Sequence, residues 1–184
     1  MVTVETTRLV LRRIQDTDYD AYYRCIYADP EVMKTLASGE AISRQDFNER
    51  IPGLMIDHWV QHGFGPWVII HKADQVLIGH CGLKYWPDAP DVEVLYALNR
   101  RYWGQGLATE AARASLRYGF ETLQLDRIIA GVLPTNQASR RVLEKIGMQV
   151  EGEMMFRQLP VVGYAIARSQ YTLDRSHGYQ LSTG

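Results

Sequence analysis

Gly104 and Gly106 sit in the segment Arg101-Tyr102-Trp103-Gly104-Gln105-Gly106-Leu107-Ala108, between an apolar strand pattern ending at Leu98 and a helical pattern beginning near Leu107. Glycine adopts dihedrals closed to other residues and lets an anion approach the backbone without meeting a Cβ. The first amides of a helix lack internal partners and carry the positive end of its dipole. A loop so built can hold phosphate oxygens through its N–H groups. A tight turn without any ligand would use the same glycines. A dinucleotide-binding turn fits less well. It needs a third glycine at the G-x-G-x-x-G spacing and a parallel βαβ unit early in the chain. Here position 109 is Thr and the loop lies past the midpoint.

Three other residues have chemistry to offer. Glu93 lies on the strand leading into the loop, on the same face as Leu95 and Ala97. There it is either a strand-end charge in solvent or a carboxylate in a cleft, tuned to act as a base. Ser139 and Asn136 stand one helical turn apart after the next strand, so both can face one ligand. Asn136 also reads as a plain N-cap, and Ser139 as a helix-start serine bonding its own backbone. His80 titrates near neutrality when unperturbed, but a lone strand histidine reads as structural. Cys25 and Cys81 read as small buried hydrophobes. Two cysteines cannot complete a metal site, and no metal is expected.

The elements that must position these residues follow from periodicity. Thr7 to Arg13 alternates as a half-buried strand. Asp16 offers an N-cap to a helix through Ala21, Tyr22, Cys25 and Ile26, ended by Asp29-Pro30. Residues 31–42 read as irregular. Ser43 opens a second helix through Phe47, Ile51, Leu54, Met55 and Trp59, with Pro52 kinking or dividing it. Trp67–His71, Val76–Tyr85 and Val92–Leu98 form an antiparallel meander, with turns at Lys72–Gln75 and Pro87–Pro90. Leu107–Phe120 is the clearest helix, with a stripe of small residues. Arg127–Leu133 is a strand, Thr135 or Asn136 caps a helix to Ile146, and Gly147 follows as its C′ residue. Met148–Met155 and Tyr164–Leu173 are the last strands. The order β-α-α-β-β-β-α-β-α-β-β describes a mixed α/β domain around one sheet.

The chain has 184 residues, which suits a single domain over 1–184. Apolar residues are 46% of it, enough for a sizeable core. A net charge of −1 does not indicate nucleic-acid binding by phosphate neutralisation. A local patch from Arg12-Arg13, Arg100-Arg101 and Arg140-Arg141 stays open. No stretch nears the roughly 20 apolar residues of a membrane span, and charges at Glu5, Arg8, Arg12 and Arg13 argue against a secretory signal. The expected setting is cytoplasmic.

The loop also fits the spacing Q/R-x-x-G-x-G/A of acyl-CoA loops, with Arg101 first. From Arg101 to Ala111, through Asp126-Arg127-Ile128, and from Asn136 to Met148, the chain resembles the GCN5-related N-acetyltransferase (GNAT) superfamily. Within it, the chain is similar to the RimJ/RimL branch of ribosomal-protein alanine acetyltransferases. The resemblance starts at Thr7-Arg8-Leu9-Val10-Leu11-Arg12 and runs to about Tyr171. It implies a splayed, mostly antiparallel sheet flanked by helices. A gap between the fourth and fifth strands of that order would admit the pantetheine arm of acetyl-CoA. It implies cofactor contacts from the amides of Arg101, Gly104, Gln105 and Gly106, from Leu107 and Ala108, from the backbone of Tyr96, Ala97 and Leu98, and from Asn136 and Ser139. It implies direct attack of a primary amine on the thioester, with Glu93 as base and Ser139 beside the sulfur. The amine would belong to a protein N-terminus or a small molecule, and the protein would be a monomer or homodimer. A non-catalytic acyl-CoA-binding module is the rival. Tyr27, Met33, Tyr85 and Trp86 are candidates to line the acceptor pocket. Gln158–Gly163 departs from the family by being shorter and more apolar, and Met148 stands where a Phe is usual.

Overall fold

In the computed structural model, residues 2–36, 39–87, 89–173 and 178–183 are described. Asp88 of the expected 87–90 turn, and residues 37 and 38 of the expected irregular stretch, lie outside them.

Nine strands form one open sheet: β1 Val2–Thr6, β2 Leu9–Arg12, β3 Pro66–His71, β4 Val76–Tyr85, β5 Val92–Leu98, β6 Arg127–Val132, β7 Gln149–Phe156, β8 Leu159–Ala167 and β9 Tyr179–Thr183. Their spatial order is β7-β8-β6-β5-β4-β3-β2-β1-β9. All neighbours are antiparallel except β5 and β6, which are parallel. Those two share a single ladder pair, Glu93 with Ile129. Pairing at one point and nowhere else along their described length makes a wedge-shaped opening with Glu93 at its vertex. The expected gap between the meander's last strand and the next one is therefore present.

The helices are α1 Tyr19–Tyr22, α2 Pro30–Met33, α3 Arg44–His62, α4 Leu107–Arg117 and α5 Gln137–Lys145. Strand alternation divides the core between the two sheet faces. Trp67, Ile69, Cys81, Leu83, Val94 and Leu98 pack with Leu107, Ala111, Ala114 and Leu116 of α4. Val68 and Ala97 face Tyr22, Ile26, Phe47 and Met55 on the other side. The small residues of α4 let it lie close on the sheet, and Ser115 Oγ comes within 3.2 Å of Cys81 Sγ.

Several expectations need correction. The first helix does not start from an Asp16 cap: the Asp18 carboxylate accepts the Gln15 N–H at 2.8 Å and binds both terminal nitrogens of Arg12. It then widens from α1 into a π-helical turn, Tyr23–Tyr27. The stretch after Asp29 is not wholly irregular. Pro30 has no N–H to waste at the first helical position, and Asp29 accepts the Glu31 N–H at 2.9 Å, so α2 forms. Pro52 lies inside a continuous α3. The strand expected at Tyr164–Leu173 is β8, which begins earlier, at Leu159, and stops at Ala167. Its turn is built by Arg157 and Gln158 at φ 45° and 69°, positive dihedrals without the Asn or Gly that advertises such a turn. β1 and β9 were not expected. They pair with each other at the sheet's edge, where short, half-polar strands suffice and leave little pattern to read.

Candidate active site

The loop after β5 is braced from within. Asn99 Oδ1 accepts the Arg101 N–H at 2.9 Å, Asn99 O accepts Tyr102 N–H at 2.9 Å, and the Trp103 indole donates to Leu98 O at 2.7 Å. The Arg101 amide is thus taken inside the turn, and that residue offers its exposed guanidinium instead. Gly104 and Gly106 both adopt the left-handed region, at φ 74° and 76°. The first bond into α4 is Glu110 N–H to Gly106 O, 3.1 Å. The amides from Gly106 to Thr109 precede it, so they are the ones a helix leaves without internal acceptors, and the Gly104 and Gln105 amides lie in the loop just before them. These donors suit an anion.

A groove of about 520 Å³ runs from this loop along β5. Tyr96, Ala97, Leu98, Gly104, Gly106, Leu107, Ala108, Asn136 and Ser139 all line it, so the sequence-derived candidates meet in one place. Arg101 and Gln105 are in the same loop but are not part of the lining. Arg141 and Lys145 of the α5 segment add positive charge, and Glu93 is the only carboxylate among the described lining residues. Of the three arginine pairs, only Arg141 reaches the groove; Arg12 is bound to Asp18 and Arg100 to Asp29.

Glu93 is 6% exposed. Burial pushes its carboxyl up to about 7, against the pull of Lys84 and, more weakly, Arg157. Lys84 Nζ is 3.5 Å from Glu93 Oε1. An acid poised near neutrality inside a groove is suited to moving a proton at physiological pH. His80 is also buried, but burial and then Lys84 lower it to about 4, and its Nδ1 meets the Tyr22 hydroxyl at 2.9 Å. It is a neutral, bonded core histidine.

Asn136 is an N-cap: its Oδ1 accepts the Ser139 N–H at 3.0 Å, and its Nδ2 donates to Thr35 O at 3.2 Å. It thereby ties α5 to the segment after α2. Ser139 Oγ lies 2.8 Å from the Tyr96 hydroxyl, which also reaches Ser139 O at 3.1 Å. Burial holds Tyr96 well above the usual phenol range, with Ser139 opposing, so the hydroxyl stays protonated. The resemblance implies a contact from only the backbone of Tyr96. Its side chain joins β5 to α5, two segments 43 residues apart, and no spacing rule could reveal that.

None of the four acceptor candidates is among the described lining residues. Met33 is core, and Tyr27 packs on Tyr22 and Phe47. Tyr85 turns toward His58 and His62. Trp86 packs edge-on against Phe156 at 5.0 Å, over Ile129 and Val161. The groove's lining also includes Val32, Thr35, Leu36, Lys84, Glu93, Phe156 and Val161. Phe156 and Val161 flank the β7–β8 turn, so this hairpin forms one wall.

Comparison with known proteins agrees with this geometry. Residues 8–149 match the family of the acetyltransferase (GNAT) domain. An N-acetyltransferase of Bacillus licheniformis, p20, is 34% identical over 157 residues, covering 83% of this chain and 85% of that one. The crystal structure of a GNAT-family acetyltransferase from Bacillus anthracis superposes with a TM-score of 0.77 at 28% identity, over 91% of this chain and 99% of the other. Mycobacterium smegmatis RimJ, solved in complex with CoA-disulfide, shares the fold with a TM-score of 0.73 at 24% identity, over 90% and 87% of the two chains.

Proposed function

The chain belongs to the GNAT acetyltransferase family and is an acetyl-CoA-dependent N-acyltransferase; from that premise we propose that it moves acetyl directly onto a primary amine in a ternary complex, with Glu93 as general base. The observation that carries this reading is the buried Glu93, raised to about 7, at the vertex of the β5–β6 opening.

The loop amides from Gly104 to Ala108 receive the pyrophosphate, with Arg101 beside it, and the backbone of Tyr96, Ala97 and Leu98 accompanies the pantetheine arm. From Leu98 back to Glu93 the strand covers about 17 Å at roughly 3.3 Å per residue. The arm and the amine therefore approach Glu93 from opposite ends of the groove. Glu93 takes the proton of the ammonium and the neutral amine attacks the thioester carbonyl; as the tetrahedral intermediate collapses and the C–S bond breaks, its nitrogen gives up a second proton that goes to the departing sulfur, leaving the amide and the free thiol. When the Tyr96 proton points to Ser139 Oγ, the serine proton is free to donate toward sulfur. Much of the acceleration comes from holding both substrates together.

The amine belongs to a protein N-terminus or a small molecule. Lys84 and Arg157 both act on Glu93, so an acceptor carrying further cationic groups meets repulsion there. The setting is cytoplasmic, in keeping with two free, buried cysteines, and the protein acts as a monomer or homodimer.

The test is release of free thiol from acetyl-CoA across a panel of primary amines, with the Glu93→Gln protein alongside. Turnover with at least one amine, reduced about 10²-fold or more by Glu93→Gln at unchanged acetyl-CoA affinity, is expected. Binding of acetyl-CoA without turnover of any amine would make the protein an acyl-CoA-binding module instead.

A further inference from the structure

The turn joining β1 to β2 lies against the start of α4, and Arg8 in that turn makes a fixed set of bonds. Its backbone N–H donates to Glu110 Oε1 at 2.8 Å, its Nε to Glu110 Oε2 at 2.7 Å, and its Nη1 to the carbonyl of Gln105 at 2.9 Å. Glu110 is 1% exposed and is held from the other side by the Thr6 hydroxyl at 2.6 Å. Burial alone would push the Glu110 carboxyl up; the Thr6 hydroxyl and the Arg8 amide and guanidinium outweigh it and hold it below the usual range. Arg8 is therefore clamped by an ionised carboxylate, and its fork has one orientation. A guanidinium is planar, so fixing Nε fixes where Nη1 points.

We propose that Arg8 is a positioning residue for the cofactor loop, acting through the Gln105 carbonyl on the direction of the Gly106 amide. The carbonyl of Gln105 and the N–H of Gly106 belong to one trans peptide plane and point in opposite directions. When Arg8 draws that carbonyl inward, the Gly106 N–H must face outward, to the side where the groove begins. Gly106 is the residue before α4, and its φ of 76° leaves that plane without the side-chain restraint other residues would supply. The restraint comes instead from Arg8, 97 residues before Gln105. The remaining nitrogen, Nη2, lies 3.7 Å from where a Gly106 Cβ would stand, so the guanidinium packs against this residue as well. This gives a role to the Thr7-Arg8-Leu9 segment, where the family resemblance starts.

The inference rests on the loop being the acetyl-CoA site, and calorimetric titration separates the two. The unsubstituted protein is titrated with acetyl-CoA first; no binding would overturn the reading of the site and the Arg8 assignment with it. Given binding, Arg8→Gln is expected to raise the dissociation constant about 10- to 100-fold, the range of a lost charged hydrogen bond. The rate at saturating acetyl-CoA and acceptor should stay within about threefold of the parent, because the reacting groups are untouched. Arg8→Lys, which keeps the charge and loses the fork, should recover only part of the affinity, and it carries the measurement if the glutamine variant fails to fold. An unchanged dissociation constant in Arg8→Gln would overturn the proposal. Full recovery in Arg8→Lys would do so too, since charge alone would then suffice.

Discussion

Lys84 Nζ stands 3.5 Å from Glu93 Oε1, and the two residues face each other across the β4–β5 ladder. The pair sets the acidity of the groove's carboxylate: burial raises Glu93 to about 7, and Lys84 is the largest influence holding it down. Lys84→Met should therefore raise Glu93 further. If Glu93 is the base, the rising limb of kcat against pH moves to alkaline pH by about one unit. The profile is best taken at saturating acetyl-CoA and acceptor, where it reports groups in the complex. A limb that stays in place would assign the base to another group.

Ser139 and Tyr96 share one hydrogen bond of 2.8 Å, so their substitutions should not add. Ser139→Ala and Tyr96→Phe are each expected to lower kcat about tenfold, and the double variant should be little worse than the weaker single. Single-turnover kinetics checks this. Additive losses would show that the two hydroxyls act separately, and loss confined to KM would move them from the chemistry to binding.

Gly104 sits at φ 74° with nothing within 4 Å of a built Cβ. Space is therefore not what forbids a side chain; the dihedral is. A β-branched residue there costs about 1–2 kcal/mol in the left-handed region, which the loop relieves by turning its amides. Gly104→Val should raise the dissociation constant for acetyl-CoA, read by titration, while leaving the far end of the groove unaltered. Unchanged affinity would remove this amide from the cofactor site.

The sequence carried the central elements well because their signals are local. β5 begins and ends where its alternation does, and the Asn136 cap and the glycine pair announce the starts of α5 and α4. What it hid depends on partners far along the chain. Arg157 and Gln158 close a hairpin without the usual turn residues, so β8 was displaced. β1 and β9 find each other only across almost the whole chain. The Tyr96–Ser139 contact and the Arg8–Glu110 clamp are tertiary too. Even Glu93, whose place on the strand was legible, became a neutral-range acid only through the burial around it.

His80 and Glu93 are buried groups whose acidities are displaced toward each other's usual range, and they make opposite demands on stability. Glu93 is raised from 4.5 to about 7. Between those values the folded state keeps a proton that the unfolded chain releases, so this contribution is full below about pH 4.5 and is lost as pH rises through 7. His80 is lowered from 6.5 to about 4. Between those values the unfolded chain binds the proton and the folded ring does not, so its contribution is full above about pH 6.5 and is lost as pH falls through 4. The windows overlap, and in the parent protein the two largely cancel. Glu93→Gln should expose the histidine: relative to the parent, stability falls by roughly 1–3 kcal/mol as pH drops from 7 to 4.5. His80→Asn, which can keep a bond to Tyr22, should expose the glutamate: relative to the parent, stability rises by a similar amount over the same drop. Denaturant unfolding at several pH values measures both differences, and groups common to all three proteins cancel from them. Because His80 lies outside the proposed proton transfer, its variant should also keep the kinetic limb near pH 7. A limb that disappeared with His80 and survived Glu93→Gln would exchange their roles.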